Sequence, residues 1–352
     1  MTMFVVLGGE VKVTAVIVTY GRRWHLLEQS LAAALEAGSD NAIVVDNGSK
    51  EDISKYVSKA FPQRVIVLRL DVNTGSAGGF HAGITAAMTG GAEYILLLDD
   101  DNCPKKEAIS ELERAFQDKL AQTARDRLCV VACKLQNYPG IQKRENEPQA
   151  WQPGPSAGQL RNAFLGFDLV HSLERFVRRN LDSRRGTDRD NRVKPSATYR
   201  VTTAPYGGMF FHRSLIDRFG YPDRHFVLYQ DDIEFTLRIS CGGGQVWFIR
   251  DAHIEAVDRS WFRPEMRMSA LELWLTQGSD MRVFYTVRNC AYIEARVHKP
   301  SLRRSLNRCV FVSALIVLSS LYGKWKRVGI IMDAVRFGEA GHLGTNSVYP
   351  LE

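Results

Sequence analysis

A chain of 352 residues with 45% hydrophobic and 24% charged residues has ordinary globular proportions, which exclude a fibrous or wholly disordered protein and leave room for about two folded units. Residues 281–352 hold 11 Lys/Arg against 4 Asp/Glu, so the net +7 of the whole chain sits there. The first 280 residues are therefore neutral, which excludes a nucleic-acid footprint spread over the protein.

Strand and helix signals alternate through the first 135 residues. VTAVIVTY (13–20) is a β-branched run suited to a buried parallel strand, and WHLLEQSLAAALEAG (24–38) has helical spacing. AIVVD (42–46) is a second strand, closed by Asn47-Gly48 and followed by a helix to about residue 60. RVIVLRL (64–70) is a third, and a Gly-rich loop, NTGSAGGF (73–80), leads into a helix through residue 88. YILLLDDD (94–101) is a fourth strand ending in three carboxylates; a helix (105–120) and a strand (128–135) complete the pattern. This alternation predicts an α/β fold with a mostly parallel sheet flanked by helices. Residues 136–200 predict a long irregular insertion. Order resumes at 204–223, the acidic helix start QDDIEFTLRI (230–239) and the strand QVWFIRDAHIE (245–255), and the chain is helical from about 264. The expected division is a catalytic domain over 1–260 and a basic helical region over 261–352.

Residues 1–13 have an apolar run but no basic segment before it, which predicts no signal peptide. The six cysteines (Cys103, Cys129, Cys133, Cys241, Cys290, Cys309) lack the paired spacing of a zinc or redox site and fit free thiols in a reducing cytosol.

Ligands of open α/β sheets bind beyond the carboxyl ends of the strands, and three polar clusters fall there: residues 19–22, 46–49 and 99–101. Adjacent carboxylates repel unless a cation or protons neutralise them. Strand alternation points Asp99 and Asp101 one way and Asp100 the other, so Asp99 and Asp101 suit one hard divalent cation, Mg²⁺ or Mn²⁺. Asp46 either accepts hydrogen bonds from a base or ribose or closes its strand in an Asx turn. Asp231-Asp232 caps a helix start or supplies a general base. His253 and Glu255 share one strand face and could complete a metal shell.

Together these segments resemble family 2 inverting glycosyltransferases of the GT-A fold. The motifs are VIVTYGR (16–22), VVDNGS (44–49), NTGSAGGFHAGI (73–84), LLLDDDN (96–102), GGMFFHRSLIDRFGYPD (207–223) and YQDDIEF (229–235), in the family's order. AGGF, DDIEF and the later VRN (287–289) look most like the galactofuranosyltransferases and their rhamnosyltransferase relatives. The resemblance implies that Thr19, Tyr20, Arg22, Asp46 and Asp100 bind the nucleotide, and that Gly78, Gly79 and Phe80 lie beside nucleotide and sugar. It further implies that Asp99 and Asp101 form the metal-binding DxD pair, that Asp232 is the catalytic base, and that the third ligand is His253 or Glu255.

The implied activity is metal-dependent transfer of a sugar from a nucleotide-sugar donor, UDP-galactofuranose ahead of dTDP-rhamnose, to a glycan or lipid-linked glycan in cell-surface polysaccharide synthesis. A nucleotide-dependent oxidoreductase would want a GxGxxG turn after the first strand, which is missing. A non-catalytic membrane adaptor would have no use for strand-end carboxylates. The apolar run at 309–323 has 15 uncharged residues, short of the ~20 that span a bilayer. Arg303, Arg304, Arg308, Lys324, Lys326 and Arg327 flank it, which suits a cytoplasmic enzyme resting peripherally on the anionic inner face of the plasma membrane; packing on the catalytic domain or a second subunit is the alternative.

Overall fold

The computed structural model describes residues 12–134, 162–170, 172–174, 198–258, 270–297 and 301–351. Most of the 136–200 insertion and the expected boundary near 260 lie outside them. In chain order the first part comprises β1 (Val13–Thr19), α1 (Trp24–Glu36), β2 (Asn41–Asn47), α2 (Ile53–Ala60), β3 (Val65–Leu70), α3 (Gly75–Thr89), β4 (Tyr94–Asp99), β5 (Asn102–Pro104), α4 (Ala108–Leu120) and β6 (Leu128–Lys134). The second comprises β7 (Thr198–Val201), β8 (Met209–His212), α5 (Ser214–Phe219), α6 (Asp231–Cys241) and β9 (Gln245–Ala256). The third is helical: α7 (Ala270–Thr276), α8 (Asp280–Val297), α9 (Leu302–Tyr322) and α10 (Trp325–Ala340).

Among the described residues one nine-stranded sheet runs in the order β3-β2-β1-β4-β8-β6-β9-β5, with β7 on β9. β1 is buried along its whole length because helices cover both faces. Val13, Ala15 and Ile17 pack with Leu27 and Leu31 of α1 and Leu112 and Phe116 of α4. Val16 and Val18 face the other way, toward Phe80 and Ile84 of α3 and Phe235 and Ile239 of α6. The parallel register sets Val18 beside Asp99 and Thr19 beside Asp46, which brings the three polar clusters to one edge.

The sheet is more mixed than the alternation predicts. β8 enters between β4 and β6 antiparallel to both, because the chain comes back to the sheet after the insertion from the opposite end. A third core lies among the C-terminal helices, where Trp274, Phe284, Phe311, Leu315 and Ile331 pack with Phe164 and Leu165. In α9 the Ser301 hydroxyl accepts from the Arg304 N–H, and Gly323 ends the helix in the left-handed region. The helix runs 21 residues, longer than the apolar run, because Leu302–Arg308 extend it. That revises the length argument: α9 is long and apolar enough to cross a membrane, and only 22% of its most apolar window is buried.

Candidate active site

The turn after β4 separates the three aspartates by job. Asp100, 3% exposed, accepts from the Thr19 hydroxyl at 2.7 Å and from Arg23 Nε and Nη2, each at 2.9 Å. The other guanidinium nitrogen of Arg23 reaches Asp258 at 2.9 Å. Burial raises the Asp100 carboxyl above its usual range, and Arg23 and Thr19 oppose that rise. Asp100 and Thr19 therefore clamp the turn to the start of α1. The Ser30 hydroxyl of α1 supports the same turn by donating to the Asn102 carbonyl at 2.7 Å.

Asp99, half-exposed, accepts from Lys134 Nζ at 3.2 Å, and Asp101 accepts from the Asn102 amide at 2.6 Å. Burial, with the Asp99 charge adding to it, pushes the Asp101 carboxyl up to about 6. Two hard oxygen donors that repel each other fit a divalent cation, which would relieve the repulsion and leave positions open for diphosphate oxygens. His253 and Glu255 do not complete that shell. Their register sets them beside Cys133 and Cys103, on the face of β9 opposite Ile254, the partner of Lys134. Glu255 pairs with Lys105 at 2.7 Å, and the buried His253 Nδ1 has no hydrogen-bond partner. Among the described residues no three His, Cys, Asp or Glu side chains gather as a metal shell.

Across from this turn, α6 begins with the second acidic pair. The Ser76 hydroxyl donates to Asp231 at 3.1 Å, and Asp232 accepts from the Ile233 N–H at 2.8 Å. Burial raises Asp231 well above the carboxylate range, with the Asp232 charge adding to it. Asp232 rises to about 6 through burial, opposed by the Ile233 N–H and reinforced by the Asp99 charge. Burial thus raises both carboxyls of this neighbouring pair, and each charge disfavours the other. The Tyr206 phenol next to them is buried, has no hydrogen-bond partner, and is raised by burial and by both aspartates.

The nucleotide-side residues are placed less directly. Tyr20 and Arg22 are exposed at the sheet edge, with the Arg23 guanidinium 5.4 Å from the Tyr20 ring centre. Asp46 is fully buried and accepts from the Ser49 N–H at 2.8 Å and from Arg69 at 2.5 Å, so it closes its strand in an Asx turn. The glycine run is helix and not loop, because α3 starts at Gly75. A Cβ on Gly79 would lie 2.5 Å from Val18 and one on Gly83 2.8 Å from Val45, so these glycines seat α3 on the sheet. Phe80 packs in the core with Tyr206, their ring centres 4.5 Å apart. Asn47, expected only as part of the turn after β2, secures the start of α3: its Oδ1 accepts from the Thr74 N–H and its Nδ2 donates to the Gly75 carbonyl, both at 2.9 Å. Arg23 and Lys134 were missed; the only signal for Arg23 is a second arginine after the Tyr20-Gly21 turn.

Residues 14–183 match the glycosyl transferase family 2 domain. The chain is 27% identical over 304 residues to the galactofuranosyltransferase GlfT1 of Mycolicibacterium smegmatis, covering 84% of this chain and 85% of that protein. Among solved structures, GalNAc-T7 with UDP, GalNAc and Mn²⁺ superposes with a TM-score of 0.53 at 14% identity over 80% of this chain, which spans about half (47%) of that protein. S. aureus TarS 1–349 with UDP-GlcNAc gives a TM-score of 0.48 at 14% identity, over 92% of this chain and 79% of that one. Residues 14–183 thus resemble a family 2 glycosyltransferase domain, and the superposition on GalNAc-T7 shows a fold of the GT-A type.

Proposed function

We propose that the protein is a metal-dependent inverting galactofuranosyltransferase using UDP-galactofuranose, with a glycan or lipid-linked glycan of cell-surface polysaccharide synthesis as acceptor. The observation that carries this reading is the placement of two acidic pairs at the site: Asp99 and Asp101 at the carboxyl end of β4, and Asp231 and Asp232 in the first turn of α6. The likeness to a galactofuranosyltransferase over 84% of the chain favours this donor over dTDP-rhamnose. Asp99 and Asp101 would hold Mn²⁺ or Mg²⁺, which when bound neutralises charge developing on the departing diphosphate. Asp232, with its carboxyl at about 6, is ionised at neutral pH yet basic enough to take the proton of the attacking hydroxyl. The acceptor oxygen forms its bond to the anomeric carbon as the bond to the diphosphate oxygen breaks, from the opposite face, and the proton ends on Asp232. Buried Lys134 adds fixed positive charge beside Asp99.

The proposed location is the cytoplasmic face of the plasma membrane, reached through α9. Its outward face carries Leu306, Val317 and Leu321 (74% exposed), with Trp325 just beyond the helix end. Five of the six flanking basic residues sit in ion pairs: Arg303 with Asp168, Arg304 and Arg308 with Glu339, Lys326 and Arg327 with Asp280. The apolar face, more than net charge, therefore drives docking. Transfer from a panel of nucleotide sugars tests the enzyme reading; turnover of dTDP-rhamnose but not UDP-galactofuranose would reverse the donor assignment. Flotation with vesicles tests the location, and full flotation after Val317, Leu321 and Trp325 are replaced by Ser would refute it.

A further inference from the structure

The loop that delivers the proposed base is strained, and the restraint comes from the far end of the chain. Val227, Tyr229 and Gln230 have φ of 66°, 65° and 62°, three non-glycine residues in the left-handed region within four positions. Such residues persist only where their surroundings over-determine them. α6 starts directly afterwards, so the conformation of these residues sets where Asp231 and Asp232 point.

Fully buried Asn289, in the middle of α8, supplies that restraint. Its Nδ2 lies 2.9, 2.9 and 2.8 Å from the carbonyls of Phe226, Leu228 and Tyr229, so its two protons are shared among three acceptors. Its Oδ1 is taken by Arg288 Nε at 2.9 Å, which fixes the amide orientation so that the nitrogen faces the loop. Arg288, also fully buried, sends Nη2 to the Phe226 carbonyl at 2.8 Å and Nη1 to the Gly344 carbonyl at 2.5 Å. The Gly344 N–H returns to the His225 carbonyl at 2.7 Å. The one loop carbonyl turned the other way, that of Val227, accepts from the Ala77 N–H of α3 at 3.2 Å.

We propose that Asn289 is a positioning residue for the transfer reaction: by gathering three carbonyls of the left-handed loop 226–229, it sets the first turn of α6 and so aims Asp232 at the acceptor hydroxyl. This rests on Asp232 being the base. The rest of α6 has its own anchors, Phe235 and Ile239 in the sheet-side core and Arg238 on the Phe219 and Tyr221 carbonyls. The start of α3 is separately held by Asn47. Losing the Asn289 amide therefore frees the loop and the first turn of α6 while the body of the helix and the nucleotide side stay in place.

The test compares Asn289→Ala with Asn289→Asp, which keeps the volume but replaces the donor with an acceptor. Misplacing a reacting group by about an ångström costs about a hundredfold, so kcat should fall by about that factor while UDP affinity in Mn²⁺, measured by calorimetry, stays within about twofold. Gln230→Gly, which relaxes one left-handed residue, should restore part of the loss. In an Asp232→Asn background Asn289→Asp should remove less than about twofold more, because its effect passes through the base. Wild-type kcat in both Asn289 variants, a parallel loss of UDP affinity, a full additional loss on Asp232→Asn, or failure of both variants to fold would each overturn the proposal. Full turnover by Asp232→Asn would instead overturn the base assignment.

Discussion

Replacing Arg23 with Met would leave Asp100 buried with one remaining hydrogen bond, from Thr19. The pair is nearly closed to solvent: the Asp100 side chain is 4% and the Arg23 side chain 21% exposed, with the two joined by two 2.9 Å hydrogen bonds. Removing one partner of such a pair destabilises by about 3–5 kcal/mol, because the remaining charge has lost both water and counter-charge. In a unit of this size about 3 kcal/mol lowers Tm by roughly 6–12 °C. The direction with pH follows from the same physics. Without Arg23 the Asp100 carboxyl rises further, so the penalty is full above that raised pKa and shrinks as acid protonates it. Asp100→Asn in the same chain removes the orphaned charge, and the double variant should be more stable at neutral pH than Arg23→Met alone. Chemical denaturation at pH 7.5 and pH 5 measures all three. A loss under about 1 kcal/mol for Arg23→Met, or additive effects in the double variant, would refute the claim that this pair holds the catalytic turn together.

Three further outcomes are expected. Asp99→Ala or Asp101→Ala should abolish transfer and weaken Mn²⁺-dependent UDP binding while leaving metal-free UDP binding unchanged, and full activity in excess EDTA would contradict this. Gly75→Ala should destabilise by at least ~1–2 kcal/mol, because φ is +77° and the new Cβ would overlap the Val227 carbonyl oxygen; a neutral result by denaturant titration would show that the loop is free to move. Burial raises Glu294, which accepts from the Leu165 and Gly166 N–H groups, from the usual 4.5 to about 7. Its stability contribution is therefore full below pH ~4.5 and lost as pH rises toward ~7, roughly 3 kcal/mol over the window, so Glu294→Gln should flatten the Tm–pH curve there.

Much of the sheet was legible because its signals are local. The β-branched run at 13–19 and the carboxylates closing YILLLD need no distant partner to declare a buried strand and a polar end. The glycine run misled because helix propensity disfavours it, whereas the surface of Val16, Val18 and Val45 accepts a helix only where no Cβ intrudes. The clamp between Arg23 and Asp100 joins residues 77 apart in sequence, and that between Asn289 and the loop carbonyls residues 60 to 63 apart. No periodicity or spacing rule reaches such pairs. The metal shell failed for a related reason: His253 and Glu255 do share a strand face, but the register of β9 on β6 and β5 turns that face away from Lys134 and the turn it serves.

The site is also where the fold is least at ease. Burial raises Asp100, Asp101, Asp231 and Asp232 together, so each is less stable ionised here than in an unfolded chain. The left-handed loop adds backbone strain directly beside two of them. Neither feature helps the protein fold, and both suit group transfer: repelling carboxylates favour a cation with its diphosphate, and a desolvated carboxylate is a stronger base than an exposed one. Opposing forces must come from groups that do no chemistry, and the structure shows them in Arg23 and Thr19 under the turn and in Arg288 and Asn289 under the loop. The second pair belongs to the C-terminal helices, so that region also restrains the loop from which α6 starts.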